Sequence, residues 1–332
     1  MQPSRRLGET NLLVSRLGLG LAALGRPGYM TIGHATDLAH DYDAATMEAR
    51  THAVLDQAWA AGVRYFDTAR SYGRAEEFLA HWLVARGIPR GAVTIGSKWG
   101  YTYTAGWRVD APQHEVKEHS LAVLARQAGE SRALLGNYLG LYQIHSATLE
   151  SGVLDNQPVL EELGRLRADG LRIGLTLSGP RQADTLRRAI EIEVEGKRVF
   201  DCVQATWNML ETSAGPALQA AHAAGLGVIV KEPLANGRLT DRNRDSGFAS
   251  RRTVLEAVAA RLGTTLDVLA LAFILGRHWA DVVLSGAATE PHLRSNLRAL
   301  TVSLDEQSQQ ELETLAEPPE QYWATRGRLP WN

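Results

Sequence analysis

The sequence predicts an α/β protein, a (β/α)8 TIM barrel that takes up residues 1–332 as a single domain. Three observations carry this prediction. Eight short apolar runs that read as buried strands recur along the chain, and stretches of helical period separate most of them. A length of 332 residues is ordinary for one barrel of this kind. Strand–helix alternation implies parallel pairing through right-handed crossovers. By itself it also allows a doubly wound open sheet, but eight units favour closure, which leaves no edge strand to protect.

The strand candidates are residues 17–21, 64–68, 93–97, 139–144, 172–177, 202–206, 227–230 and 282–285. Helix candidates lie between them. Residues 48–61 set Ala53, Leu55, Ala58 and Ala61 along one side, and 75–85 do the same with Phe78, Leu79, Trp82 and Leu83. Residues 158–168 align Leu160, Leu163 and Leu166, and 181–192, 213–224, 251–262 and 304–315 continue the rule. Three long segments interrupt it: 26–46, 99–114 and the tail 318–332. The first two follow strands, on the face where barrel enzymes build their sites. The second is rich in aromatic residues, which reads as an ordered rim loop. Trp99, Tyr101 and Trp107, with Trp207 and Trp323, are its candidate substrate wall, suited to the face of a sugar or another ring.

Lys plus Arg number 35 and Asp plus Glu 37, a net charge of −2. No basic field results, so neither nucleic acid nor an anionic membrane is expected as a partner. Cys202 is the single cysteine, which excludes an intramolecular disulfide and a multi-cysteine zinc site. The first residues lack the apolar stretch of a signal peptide. The longest apolar run, 268–275, is far short of the ~20 residues that span a bilayer. A cytoplasmic protein is expected. No metal site is expected either. His114 and His119 are five residues apart, whereas the HExxH pattern needs four, so 114–119 reads as the start of a solvated helix. Among the glycines of 18–25 the third comes too late for GxGxxG, so this run is read as the first strand.

The polar residues at the strand ends are more informative. Asp67, Lys98 and His145 each stand at or just past the C-terminal end of an apolar run, and Tyr72 sits on the turn after Asp67. In a barrel these ends form one rim, so side chains distant in sequence converge. Asp67 and Lys98 come from adjacent strands and can pair, which offsets the cost of burying either charge. An ammonium beside Tyr72 is expected to lower the phenol pKa from its usual value near 10, toward use as a proton donor. His145 can orient a substrate oxygen. The set suits protonation of an oxyanion, contains no obvious nucleophile, and leaves a gap that a cofactor hydride would fill.

These residues belong to a longer series: Leu7-Gly8 with Val14 to Gly20, Phe66-Asp67-Thr68-Ala69 with Tyr72-Gly73, Ser97-Lys98, Gln143-Ile144-His145, Val203-Gln204, Pro233-Leu234-Ala235 with Gly237, and Gly286-Ala287 with Asn296-Leu297. In this order and over nearly the whole chain, the series resembles the aldo-keto reductases. The resemblance implies an NAD(P)(H)-dependent oxidoreductase that interconverts a small-molecule carbonyl, an aldehyde or ketone, and an alcohol. It makes Tyr72 the general acid, Lys98 its tuning partner, Asp67 the partner of Lys98, and His145 the carbonyl-orienting group. Cofactor contacts are implied at Gly20, Leu21, Asp67, Ser178, Gln204, Lys231, Pro233 and Leu234. Gly286, Ala287, Thr289, His292 and Asn296 fall at the adenosine end, where a helix N-terminus favours phosphate.

Several positions depart from the family pattern. Gly179 stands where the family has Asn after Ser178. Lys231 replaces an aromatic ring usually set against the nicotinamide, and points to a phosphate, to Glu232 or to substrate. Ala287 and Ala288 thin out the usual contacts to a 2′-phosphate, leaving Thr289, His292 and Arg294; NADP(H) is expected ahead of NAD(H). The alternative reading is a cofactor-binding accessory or sensor protein with little turnover. A barrel hydrolase would want paired carboxylates or a metal at the rim.

Overall fold

The structure, a computed structural model, describes residues 4–332. Eight parallel strands close into a barrel: β1 (Leu17–Gly20), β2 (Tyr65–Asp67), β3 (Thr94–Trp99), β4 (Leu139–Ala147), β5 (Arg172–Leu177), β6 (Cys202–Thr206), β7 (Gly227–Lys231) and β8 (Val282–Ser285). Each pairs with its neighbours in chain order. β8 then pairs with β1, Val283 opposite Leu17 and Ser285 opposite Leu19, which shuts the ring. The strands coincide with the predicted apolar runs to within three residues. The largest extension is in β4, which continues past Ile144 to Ala147 through an irregularity. There Ser146 takes a φ of 54° and its N–H donates to Thr176 Oγ1 at 2.7 Å.

Besides a single turn at His34–Asp37, the α-helices are α1 (Ala44–Ala60), α2 (Ala75–Ala85), α3 (Leu121–Leu135), α4 (Gln157–Ala168), α5 (Gln182–Ile190), α6 (Gly215–Ala223), α7 (Ala249–Arg261), α8 (Leu266–Leu275), α9 (Glu290–Arg298), α10 (Glu306–Glu313) and α11 (Pro319–Gly327). Side-chain caps fix several starts: Asp43 accepts from Thr46 N at 2.9 Å before α1, and Thr289 accepts from His292 N at 3.4 Å before α9. Residues 114–119 correct the expectation of a helix start. Glu115–Lys117 is instead a strand, paired antiparallel with Tyr101–Tyr103 in the rim loop after β3. Its two histidines part company: His114 stacks on Trp331, and His119 packs edge-on to Trp99.

Alternation along each strand divides the core into two layers. Outward residues such as Leu19, Phe66, Ile95, Tyr142 and Val203 pack beneath the helices. Inward residues, among them Tyr65, Leu141, Cys202, Ile229 and Val282, fill the lower barrel with Leu7 and Val14 from an N-terminal hairpin (Ser4–Arg6 with Leu13–Ser15). Leu7 reaches the axis because Gly227 has no side chain: a Cβ there would lie 2.5 Å from Leu7 Cγ. This plug closes one end of the barrel. Among the described residues no single helix is long and apolar enough to cross a membrane.

Candidate active site

The same alternation places the polar set. Asp67 shares the inward face of β2 with Tyr65, and Lys98 points inward at the end of β3. Both charges are almost completely buried, and they form a close ion pair. Lys98 Nζ also donates to Thr68 O at 2.9 Å and to Tyr72 Oη at 3.3 Å. Asp67 Oδ2 accepts from Gln204 Nε2 at 2.8 Å and from Tyr65 Oη at 3.1 Å. A buried carboxylate is stable only when paired and hydrogen-bonded, and both conditions are met. The His145 ring stands edge-on to Tyr72, 5.6 Å between centroids, and 4.9 Å from Tyr101. Four groups from β2, its following loop, β3 and β4 therefore meet around one point.

Electrostatics fix their protonation. Burial, then the charges of Lys98, Arg26 and Lys231, holds His145 well below the usual imidazole range, so it is neutral. Burial, then Asp67, pushes the Tyr72 phenol well above its usual value. This corrects the expectation that Lys98 lowers it. Asp67 neutralises the ammonium, and desolvation of the phenol dominates. Tyr72 is thus a protonated phenol at neutral pH, with a cation ready beside the phenolate it would leave.

The set opens onto a cavity of about 830 Å³ that runs from Tyr72 and His145 to Gly286, Ala287 and Asn296 beside the N-terminus of α9. Gly20, Asp67, Tyr101, Ser178, Gln204, Lys231, Pro233, Leu234 and His292 also line it. Leu21 is buried beneath it, and Thr289 serves as the cap of α9. Three of the predicted aromatic wall residues lie elsewhere. Trp99 follows inward-facing Lys98 on β3, so it faces the helices and is fully buried. Trp107 packs on Phe78 and donates to Tyr42 O at 2.7 Å. Trp207 stacks on Phe273 outside the barrel. Trp323 is placed beside the site, its ring centroid 5.8 Å from Lys231 Nζ.

Several residues that periodicity does not reveal complete the walls. Arg26, on the loop after β1, donates to Ser71 O and to Glu115 Oε2, both at 3.0 Å, and lies 5.1 Å from the Tyr72 ring centroid and 4.8 Å from that of Trp331. Glu232 forms a bidentate pair with Arg326 of α11, which ties the tail to the end of β7. Asn332 Nδ2 donates to Thr31 O at 2.9 Å, and its main chain pairs with Tyr29. At the far end Arg242 pairs with Asp37 and approaches His292 Nε2 to 3.0 Å. The length of the cavity, the helix N-terminus at its far end and Arg242 there suit a phosphate-bearing dinucleotide. Asn296, bonded to Ser285 Oγ at 2.9 Å, forms part of that end.

Comparison with known proteins gives a consistent result. The model of the aldo/keto reductase family matches residues 16–317. An uncharacterized oxidoreductase of Bacillus subtilis, YqkF, is 24% identical over 89% of this chain and 90% of its own. L-Galactose dehydrogenase of Arabidopsis thaliana is 25% identical over 95% and 94%. The holo form of an aldo-keto reductase from Bacillus halodurans superposes with a TM-score of 0.74 over 97% of this chain and 100% of that one, at 21% identity.

Proposed function

The chain belongs to the aldo/keto reductase family of oxidoreductases, which use nicotinamide cofactors and work between carbonyls and alcohols, and from that premise we propose that it reduces an aldehyde or ketone with Tyr72 as the acid. The observation that carries the reading is the 3.3 Å contact between the Tyr72 phenol and Lys98 Nζ, with His145 alongside and the cavity above. When bound, the nicotinamide supplies or takes up a hydride.

The chain's own residues handle the proton and the oxygen. Neutral His145 offers an N–H to the substrate oxygen and holds the carbonyl toward Tyr72. As negative charge develops on that oxygen, Tyr72 transfers its proton to it, which yields the alcohol. The phenolate left behind is stabilised by Lys98, and Asp67 keeps the ammonium in place. In oxidation the phenolate accepts the hydroxyl proton. Gln204 and Ser178 would hold the nicotinamide end of the cofactor. The backbone N–H groups at the start of α9 would hold the diphosphate; His292 and Arg242, the latter shared with Asp37, are the side chains a 2′-phosphate would use, and on that ground NADP(H) is proposed ahead of NAD(H).

The test pairs binding with turnover. Fluorescence titrations with NADPH and NADH, followed by a panel of carbonyls and polyols on the preferred form, establish the reaction. Tyr72→Phe is expected to bind the cofactor as the parent does but to lose roughly 10²- to 10⁴-fold in kcat. Undiminished turnover in that variant would remove Tyr72 from the role of acid.

A further inference from the structure

Resting on the carbonyl reductase reading above, we propose that the substrate carries a carboxylate and that Lys231 is the residue that binds it. The charges at the catalytic end of the cavity point to that ligand. Three ion pairs there are complete in themselves: Lys98 with Asp67, Arg26 with Glu115, and Arg326 with Glu232. Lys231 is the most loosely paired of the four cations. Its Nζ donates to Thr206 Oγ1 at 2.7 Å, while Glu232 Oε1 stands 4.0 Å away, beyond hydrogen-bonding distance. No other acceptor reaches it among the described residues, and an ammonium has three protons to give.

Glu232 has little left to offer. Arg326 Nε reaches both of its oxygens, at 3.0 and 2.9 Å, Arg326 Nη2 adds a contact at 2.5 Å, and the Thr206 hydroxyl lies 3.1 Å from Oε2. Lys231 lines the cavity and keeps 16% of its side chain open to it. Burial pulls the ammonium down to about 8, Glu232 opposes that pull, and the charges of Arg326 and Lys98 add to it.

Position and valence narrow the ligand. Lys231 ends β7 in register with Thr206 of β6, two residues beyond Gln204, which reaches Asp67. Lys231 and His145 line the same cavity, so the anion that Lys231 binds shares that cavity with the reacting carbonyl. A single ammonium with two protons still to give matches one negative charge. A phosphate, with a second charge to match, would draw on more donors, and both nearby guanidiniums already hold carboxylates.

The test compares benzaldehyde, 4-carboxybenzaldehyde and 4-formylphenyl phosphate on the parent protein with its cofactor, and on Lys231→Met, Lys231→Gln and Lys231→Arg. The parent is expected to favour the carboxylated aldehyde over the neutral one in kcat/KM. The Met and Gln variants are expected to lose about 10- to 100-fold of that ratio, chiefly through KM, and Arg to keep part of it. Equal ratios in parent and Met variant, or a preference for the phosphate ester, would overturn the proposal. Calorimetric titration with benzoate and benzamide separates it from the reductase reading. Benzoate binding that depends on Lys231, with no aldehyde reduced, refutes the reductase and keeps the anion site. Reduction without benzoate binding does the reverse.

Discussion

Lys98→Met removes the cation from a site that holds a buried anion. The ammonium makes three polar contacts, with Asp67, Thr68 O and the Tyr72 phenol. Asp67 then keeps only Gln204 and Tyr65 as donors, and its charge has no counterion within reach. Breaking a buried pair from one side costs about 3–5 kcal/mol. Unfolding entropy is roughly 2.1 cal/mol/K per residue, so about 0.7 kcal/mol/K for this chain, and the melting temperature should fall by about 4–7 °C. The double variant Lys98→Met/Asp67→Asn removes both charges and should recover part of that loss. Differential scanning calorimetry at pH 7 measures both changes, and a parallel assay should find kcat strongly reduced. A single variant that melts within about 1 °C of the parent, or a double variant no more stable than the single, would refute the reasoning that the pair is held by charge compensation.

Other outcomes follow from the same geometry. Because Tyr72 titrates well above its usual range and His145 well below its own, reduction should show neither a phenol limb nor an imidazole limb between pH 6 and 9, while oxidation should climb with pH; kcat profiles in both directions check this. Burial holds His119 down at about 4. Folded His119 stays neutral while the unfolded chain takes up a proton below about 6.5, so its contribution is intact above that pH and is lost toward pH 4, about 2 kcal/mol by pH 5. Thermal melts of His119→Gln at pH 7 and pH 5 should therefore show a smaller acid-induced drop than the parent. Arg326→Met leaves Glu232 without its bidentate partner, so Lys231 should turn to Glu232. The preference for a carboxylated aldehyde should shrink, and a ratio equal to the parent's would count against that coupling.

The barrel was legible because the strands are short, mostly apolar runs, and the polar set at its rim because its members sit where those runs end. Helices were read less evenly. α3 escaped notice because its buried face includes Gln127, Ala128 and Ser131, which blunts the apolar stripe. α8 is apolar on every side, so it has no period to detect. The wall residues divided on parity. Trp99 lies one place beyond Lys98, and a strand that turns the lysine inward must turn the indole outward, a signal that composition alone hides. Arg26, Glu115, Glu232 and Arg326 stand on loops, a hairpin and the tail, whose paths are set by tertiary contacts; nothing in the local sequence marks them as neighbours. The phenol pKa was misjudged for a related reason: burial and the sharing of Lys98 with Asp67 exist only in the folded chain.

Ring closure between β1 and β8 also shapes how the chain is made. At roughly 5–20 residues per second, the ribosome leaves β1 without its second neighbour for on the order of tens of seconds. During that interval β1 and the newest strand both present unpaired amides and carbonyls, the groups that recruit stray chains. A nascent or truncated polypeptide that stops before Val282 therefore carries two open edges, whereas one that lacks only α11 still has every strand joined on both sides. Shortened forms ending before β8 should accordingly accumulate as aggregates or as cargo for chaperones, and those ending after it should remain dispersed.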